Sequence, residues 1–168
     1  YNFLKIKEIK KKDKLYNVYN FALSNKNSQT KLIIPFFNNY ALTQIAGLDI
    51  KGVKKRLKIA LFEKNLFKKI YFKKTPIISK KLDNFKFKPS FIKIDIEGHE
   101  YECILGGLKT IKKFKPILMV EYDKVVCAKI YKVLKKLKYK QFFYNKKTNK
   151  MEKYRNENIL NIFFVHSK

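Results

Sequence analysis

Apolar and polar positions follow two different periods along this chain, and the change of period divides it. The first half is mainly strand-like. LYNVYNFALS, residues 15–24, is rich in β-forming side chains and predicts a strand. SNKNSQ is a polar turn, and TKLIIPF, 30–36, returns as a second strand, expected to pair antiparallel with the first. Pro35 suits an edge or a strand end, because proline cannot donate to a ladder. Ahead of these strands, Phe3, Ile6 and Ile9 fall on one face of a predicted amphipathic helix over residues 2–12. NNYALTQIAG is loop-like, and residues 38–72 as a whole mix helical and irregular signals. TPIISKKLDNF, 75–85, predicts a short strand and a turn.

The second half alternates more cleanly. KPSFIKIDIEG, 88–98, is a strand opened by Pro89 and closed by Gly98. Residues 99–113 place Tyr101, Ile104, Leu105, Leu108 and Ile111 on one helical face. Gly106 and Gly107 weaken or kink that helix, since glycine gives up the most backbone freedom on ordering. Pro116 ends it, and PILMVEY, 116–122, is a continuous apolar run of the buried, parallel type. KVVCAKIYKVLKKLKY, 124–139, predicts a helix with Val125, Ala128, Ile130, Val133, Leu134 and Leu137 inward. KQFFYN, 140–145, and NILNIFFVHS, 158–167, are strands on either side of the polar turn NKKTNKMEKYRNEN, close enough to pair as a hairpin. The order predicts an α/β fold in one domain over 1–168, with a mostly parallel sheet and a terminal antiparallel hairpin.

Composition changes this picture in two places. The chain is 46% hydrophobic, enough for a packed core, but no apolar run approaches the roughly 18 residues of a membrane span. The leading YNFLKIKEIKKKDK is basic and lacks the apolar stretch of a secretory signal. Cys103 and Cys127 form no C-x-x-C pair and are expected as free thiols. Together these features set the expectation of a cytoplasmic protein that needs no membrane.

The formal net charge is +27, yet of the forty basic residues only Arg56 and Arg155 are arginine. Abundant Lys, Asn, Ile, Tyr and Phe without Trp is what A/T-rich codons encode. Nucleic-acid surfaces favour the planar arginine fork for phosphate and base contacts. The lysines are therefore read as a solvated coat, and nucleic acid is not expected as a partner.

Against that coat, four of the thirteen carboxylates, Asp95, Glu97, Glu100 and Glu102, fall within eight residues. Strand alternation sets Ile92, Ile94 and Ile96 on one face, with Asp95 and Glu97 on the other at the strand's carboxyl end. That edge is where ligands bind in open α/β sheets. Glu100 and Glu102 fall in the first helical turn, where negative charge complements the macrodipole. Asp95 and Glu97 are costly near a buried strand unless paired or used. His99 adds a titratable ring beside them as a candidate general base.

FIKIDIEGHEYECILGGLKTIKKFKPILMVEY, 91–122, resembles the signature region of the FkbM-type methyltransferases, S-adenosylmethionine-dependent enzymes with the class I Rossmann-like fold. Ile94, Asp95, Glu97, Gly98, His99, Glu100, Lys115, Pro116 and Glu121 match the family pattern, and Ile96 replaces its usual valine. NVYNFALSNKN, 17–27, and ISKKLDNF, 78–85, resemble two weaker elements of the same family. The resemblance implies O-methylation of a small-molecule or glycan hydroxyl. It implies Asp95, Glu97 and His99 at the catalytic centre, and Ala22, Leu23, Ser24 and Asp95 at the cofactor. Glu121 would shape the acceptor pocket, with Thr43 and Gln44 in a loop over it. No metal is implied.

One departure from the family stands out. Its V-G-A-N-x-G-like loop and the acid that holds the cofactor ribose have no counterpart in this sequence. The chain resembles the C-terminal portion of the fold, a member without its first two strands, so a missing N-terminal segment is an expected partner. Two other readings compete. One is a metal-dependent nucleic-acid hydrolase with Asp95, Glu97 and Glu121 around Mg²⁺. The other is a non-catalytic basic module for RNA or anions, with Tyr and Phe interleaved among Lys. From the missing loop, the 168 residues alone are expected to bind S-adenosylmethionine weakly or not at all. Calorimetric titration checks this, and a tight isotherm would contradict it.

Overall fold

The structure, a computed structural model, describes residues 17–60 and 68–167. The helix expected over 2–12 and the start of the strand expected at 15 lie outside the described residues. Two sheets form. The first has four strands in the order β1 (Ala22–Leu23), β4 (Ile70–Lys80), β2 (Ser28–Phe37), β3 (Tyr40–Ala41). The second has five, in the order β5 (Phe91–Ile94), β6 (Ile117–Glu121), β9 (Asn161–His166), β7 (Tyr139–Asn145), β8 (Lys150–Lys153). Four α-helices lie among the described residues: α1 (Ile50–Ala60), α2 (Glu100–Gly106), α3 (Leu108–Phe114) and α4 (Lys124–Leu134).

The α/β class holds, but the sheets are mixed rather than mostly parallel. Among the described strands only β1·β4 and β5·β6 run parallel. The first sheet is dominated by a long antiparallel ladder from Ser28↔Ser79 to Phe37↔Ile70. The reason is local. Lys73 and Lys74 within β4 are exposed, so this strand lacks the continuous apolar signature of a parallel one and half of it reads as irregular. The strand that pairs with β2 is accordingly β4, which lies between β2 and β1. The predicted 15–24 strand shrinks to Ala22–Leu23 within the described residues.

In the second sheet the last two predicted strands do pair, Tyr139↔His166 to Phe142↔Phe163. They are not a simple hairpin, because the intervening polar segment contributes β8 to the other side of β7. Its sequence, KMEK, is mostly exposed and carries no apolar alternation, so nothing in it signals a strand. The helix expected over 99–113 is two helices that meet at Gly107. Helix α4 buries Ile130 and Leu134 as expected, but two of its predicted inward positions face solvent. Val125 is 64% exposed, Ala128 is also exposed, and Cys127, Ile130 and Leu134 face inward. Asp123 caps the helix by accepting from the Val125 and Val126 amides, which fixes where the helical turns start. No helix among the described residues is long and apolar enough to cross a membrane.

The main core joins Ile94, Leu118, Val120, Ile162 and Phe164 of the second sheet to Cys103, Ile104, Ile111, Ile130 and Leu134 of the helices. Each such side chain contributes about 1.5–3 kcal/mol by leaving water. Both thiols are free and buried. Burial pushes Cys103 up to about 12 and Cys127 up to about 11, so neither is a nucleophile near neutral pH. A smaller core of Ile33, Val53 and Leu57 fixes α1 to β2.

The sheets meet where β1 ends. Leu23 packs on the main core, and the Ser24 amide donates to the Lys80 carbonyl. Asp83 accepts from the Lys109 and Thr110 amides at the start of α3. At the centre of this joint a Cβ on Gly106 would overlap the Ser24 carbonyl oxygen and lie 2.8 Å from its carbon. Helix propensity alone would make Gly106→Ala stabilising by up to about 1 kcal/mol. The backbone contact reverses the sign. Gly106→Ala is expected to lose about 1–3 kcal/mol through overpacking, read as a lower urea midpoint. An unchanged or higher midpoint would show that the joint has slack.

Candidate active site

Strand β5 ends at Ile94, and the chain then turns through two left-handed residues, Glu97 (φ 56°) and Gly98 (φ 92°). Glycine takes this conformation freely, whereas for Glu97 it costs roughly 1–2 kcal/mol. What holds the turn is Glu100. Its side chain is buried, and Oε1 accepts from the Gly98 amide at 2.9 Å and the Ile96 amide at 3.3 Å. Glu100 stands in the first helical turn, as the sequence predicts, and it also locks the turn that presents Glu97 and His99.

Parallel pairing of β5 with β6 sets Ile94 beside Val120, so the next residues, Asp95 and Glu121, come together. Oxygens of Asp95, Glu97 and Glu121 all lie within 4.8 Å of one another. Two protein cations stand against this cluster. Lys93 Nζ is 2.8 Å from Asp95 Oδ2, and Arg56 Nε is 3.6 Å from Glu97 Oε2. Partial loss of solvent, and then the neighbouring Glu121, hold the Glu97 carboxyl above the ordinary glutamate value, with Arg56 opposing. Glu121 is raised in the same way by burial, Asp95 and Glu100.

Glu97 and His99 open onto a cavity of about 800 Å³. Its walls include Tyr19, Phe21, Ala22 and Leu23 together with Thr43, Ala46 and Gly47. His99 has both ring nitrogens engaged. Nε2 is 3.0 Å from the Ser24 hydroxyl, and Nδ1 is 3.6 Å from Glu102 Oε2. Only the Ser24 contact is at hydrogen-bond distance, and the same hydroxyl also donates to Asn25 Oδ1 at 3.5 Å.

The predicted residues therefore divide. Ala22, Leu23, Thr43, Glu97 and His99 share the cavity wall. Asp95 and Glu121 stand behind Glu97 in the carboxylate cluster. Ser24 is buried and committed to His99, and Gln44 is exposed away from the cavity lining. The sequence reading missed Arg56. The available signal was its identity, an arginine in a chain that places lysine at all but two of its basic positions.

The family described as "Methyltransferase FkbM domain" matches residues 2–142. No curated protein matches the chain. Among solved structures, methyltransferase FkbM from Methylobacillus flagellatus KT is similar, with a TM-score of 0.41 and 18% identity. The likeness covers 54% of this chain and 24% of that one, so this chain spans about a quarter of that protein's length.

The raised carboxylates make stability depend on pH in a defined direction. A carboxyl raised in the folded state favours folding when protonated, and that contribution is lost as pH rises through its folded value. Glu121→Gln should therefore raise the melting temperature near about pH 7, where native Glu121 is ionised among like charges. The gain should vanish below the ordinary value of 4.5, where Glu121 is already neutral. Melting curves of both proteins across that range check it.

Proposed function

This chain belongs to the FkbM methyltransferase family, and from that premise we propose that it is an S-adenosylmethionine-dependent methyltransferase for a hydroxyl of a small molecule or sugar. The observation that carries the reading is Glu97. It is the only carboxylate on the cavity wall among the described residues, and it stands at the carboxyl end of a parallel strand pair.

The chain fits one part of the cofactor. Tyr19, Phe21, Ala22 and Leu23 offer an apolar face suited to a purine, and Glu97 offers negative charge to a positive sulfur centre. No residue is assigned to the ribose, because the glycine-rich loop and its acid are not in the sequence. When bound, the cofactor supplies an electrophilic methyl group.

The protein's own part is to hold the acceptor and take its proton. Glu97 suits that role because its raised pKa makes it a stronger base than a solvated glutamate. His99 is less available, since Ser24 and Glu102 occupy its two nitrogens. We assign it to shaping the wall beside Glu97. Asp95 and Glu121 act through Glu97, by raising the cost of its charge. Thr43, which also lines the cavity, is assigned to the acceptor. The hydrolase reading has one observation in its favour, the closeness of Asp95, Glu97 and Glu121. Against it, Lys93 and Arg56 already neutralise much of that charge.

The test is transfer of labelled methyl from S-adenosylmethionine at high concentration to a panel of hydroxylated small molecules and sugars. Glu97→Gln should lower the rate about 10²–10⁴-fold while the chain stays folded. If the native chain transfers no label, and Mg²⁺ or Mn²⁺ raises its melting temperature where S-adenosylmethionine does not, the hydrolase reading replaces this one.

A further inference from the structure

Arg56 stands between the two lobes of the molecule. It rises from α1, whose Val53 and Leu57 are fixed in the smaller core, and its side chain points toward the turn after β5. Nη2 donates to the carbonyls of Ile45 and Ala46, both at 3.2 Å. Nε is buried without a hydrogen-bond partner, and Glu97 Oε2 is the anion it faces, at 3.6 Å. A buried N–H of a charged group is costly to leave unmet, and a small closing movement by Glu97 would satisfy it.

Two glycines from different lobes make room for this one guanidinium. A Cβ on Gly47 would lie 2.5 Å from Nη2, and a Cβ on Gly98 would lie 3.2 Å from Nη1. Lysine cannot do the same work. Its ammonium is a single point of charge, whereas the planar fork can bind two carbonyls with one nitrogen and face a carboxylate with another. That explains an arginine at this position in a chain so strongly biased to lysine.

We propose that Arg56 is the positioning residue of this site: a guanidinium anchored on the Ile45 and Ala46 carbonyls that holds the Glu97 carboxylate at the cavity wall. Its importance for catalysis rests on the reading of Glu97 as proton acceptor, but the clasp itself is tested without any methyl transfer. The groups that face Glu97 are Asp95, with Lys93 behind it, from the β5 end, Glu121 from β6, Glu100 from α2 and Arg56 from α1. His99 lies two residues along the same turn.

The experiment follows the Glu97 carboxyl carbon by NMR across a pH titration of the whole chain. Arg56→Gln should move the Glu97 midpoint upward, because it removes the one positive charge facing that carboxylate among the described residues. Arg56→Lys should restore it only in part. Gly47→Ala keeps every charge but displaces the guanidinium, a flexible group that can yield; it also presses on Val53 Cγ2 at 3.2 Å, so its melting temperature is measured alongside. This substitution should also move the midpoint upward. Glu121→Gln is the opposite control and should move it down. An unchanged midpoint in folded Arg56→Gln overturns the proposal. If Arg56→Gln does not fold, Gly47→Ala decides in the same way. Either result stands whether or not the chain transfers methyl groups.

Discussion

The seating of the Ser24 carbonyl on Gly106 is the constraint on which the rest of the molecule depends. Among the described strands the two sheets share no ladder, so no backbone pairing sets their distance. What sets it is a strand end lying directly on a helix that has no side chain at the point of contact. A methyl there would push β1 off α2 and separate Ala22 and Leu23 from Glu97 and His99, emptying the cavity of one wall. Polar bonds then fix the orientation. Asp83 holds the amides of α3, Ser24 meets His99, and Arg56 meets Glu97. The ion pair and the neutral bond each contribute about 1 kcal/mol, and the bonds to the Asp83 carboxylate somewhat more. The close contact gives them a fixed distance to span.

The turn at Glu97 works by the same division of labour. A left-handed glutamate is unfavourable, and the cost is offset by a second carboxylate, Glu100, buried beneath it and bonded to two amides. One acid is used to shape the backbone so that another can reach the cavity. Partial loss of solvent first, and then the crowding by Glu121 and Asp95 a few ångströms away, raise Glu97 above an ordinary glutamate. Strain and repulsion collected at one turn are consistent with the role proposed for Glu97.

How far the sequence could be read follows from what kind of signal each part carries. FIKIDIEG and PILMVEY combine apolar strands with flanking proline or glycine, and both appear where they were expected. The carboxylate cluster was legible for a simple reason: acids are scarce in this chain and four stand together. Antiparallel β4 and the exposed β8 were not legible, since lysines on solvent-facing positions hide the alternation that identifies a strand. In α4 Ile130 and Leu134 are buried as expected, and only the positions expected inward at Val125 and Ala128 were misplaced. Val125 is as apolar as Val126, and only the Asp123 cap decides between them. The role of Glu100 and the presence of Arg56 depend on contacts between segments distant in sequence, and no local pattern encodes those.

The charge distribution gains meaning from the same geometry. A net charge of +27 suggests a surface that attracts anions, yet the cavity wall carries a carboxylate backed by two more. At physiological ionic strength the field of solvated lysines fades over about 8 Å, so the coat scarcely reaches into the cavity. Inside, the partly desolvated carboxylates act at shorter range and through a lower dielectric, which strengthens their effect on any charge nearby. The site and the surface are therefore electrically distinct. The lysine coat is tolerated wherever solvent screens it. Lysine serves beside the exposed Asp95, but beside Glu97 at the cavity wall the chain uses arginine, whose fork can be tied back to two carbonyls.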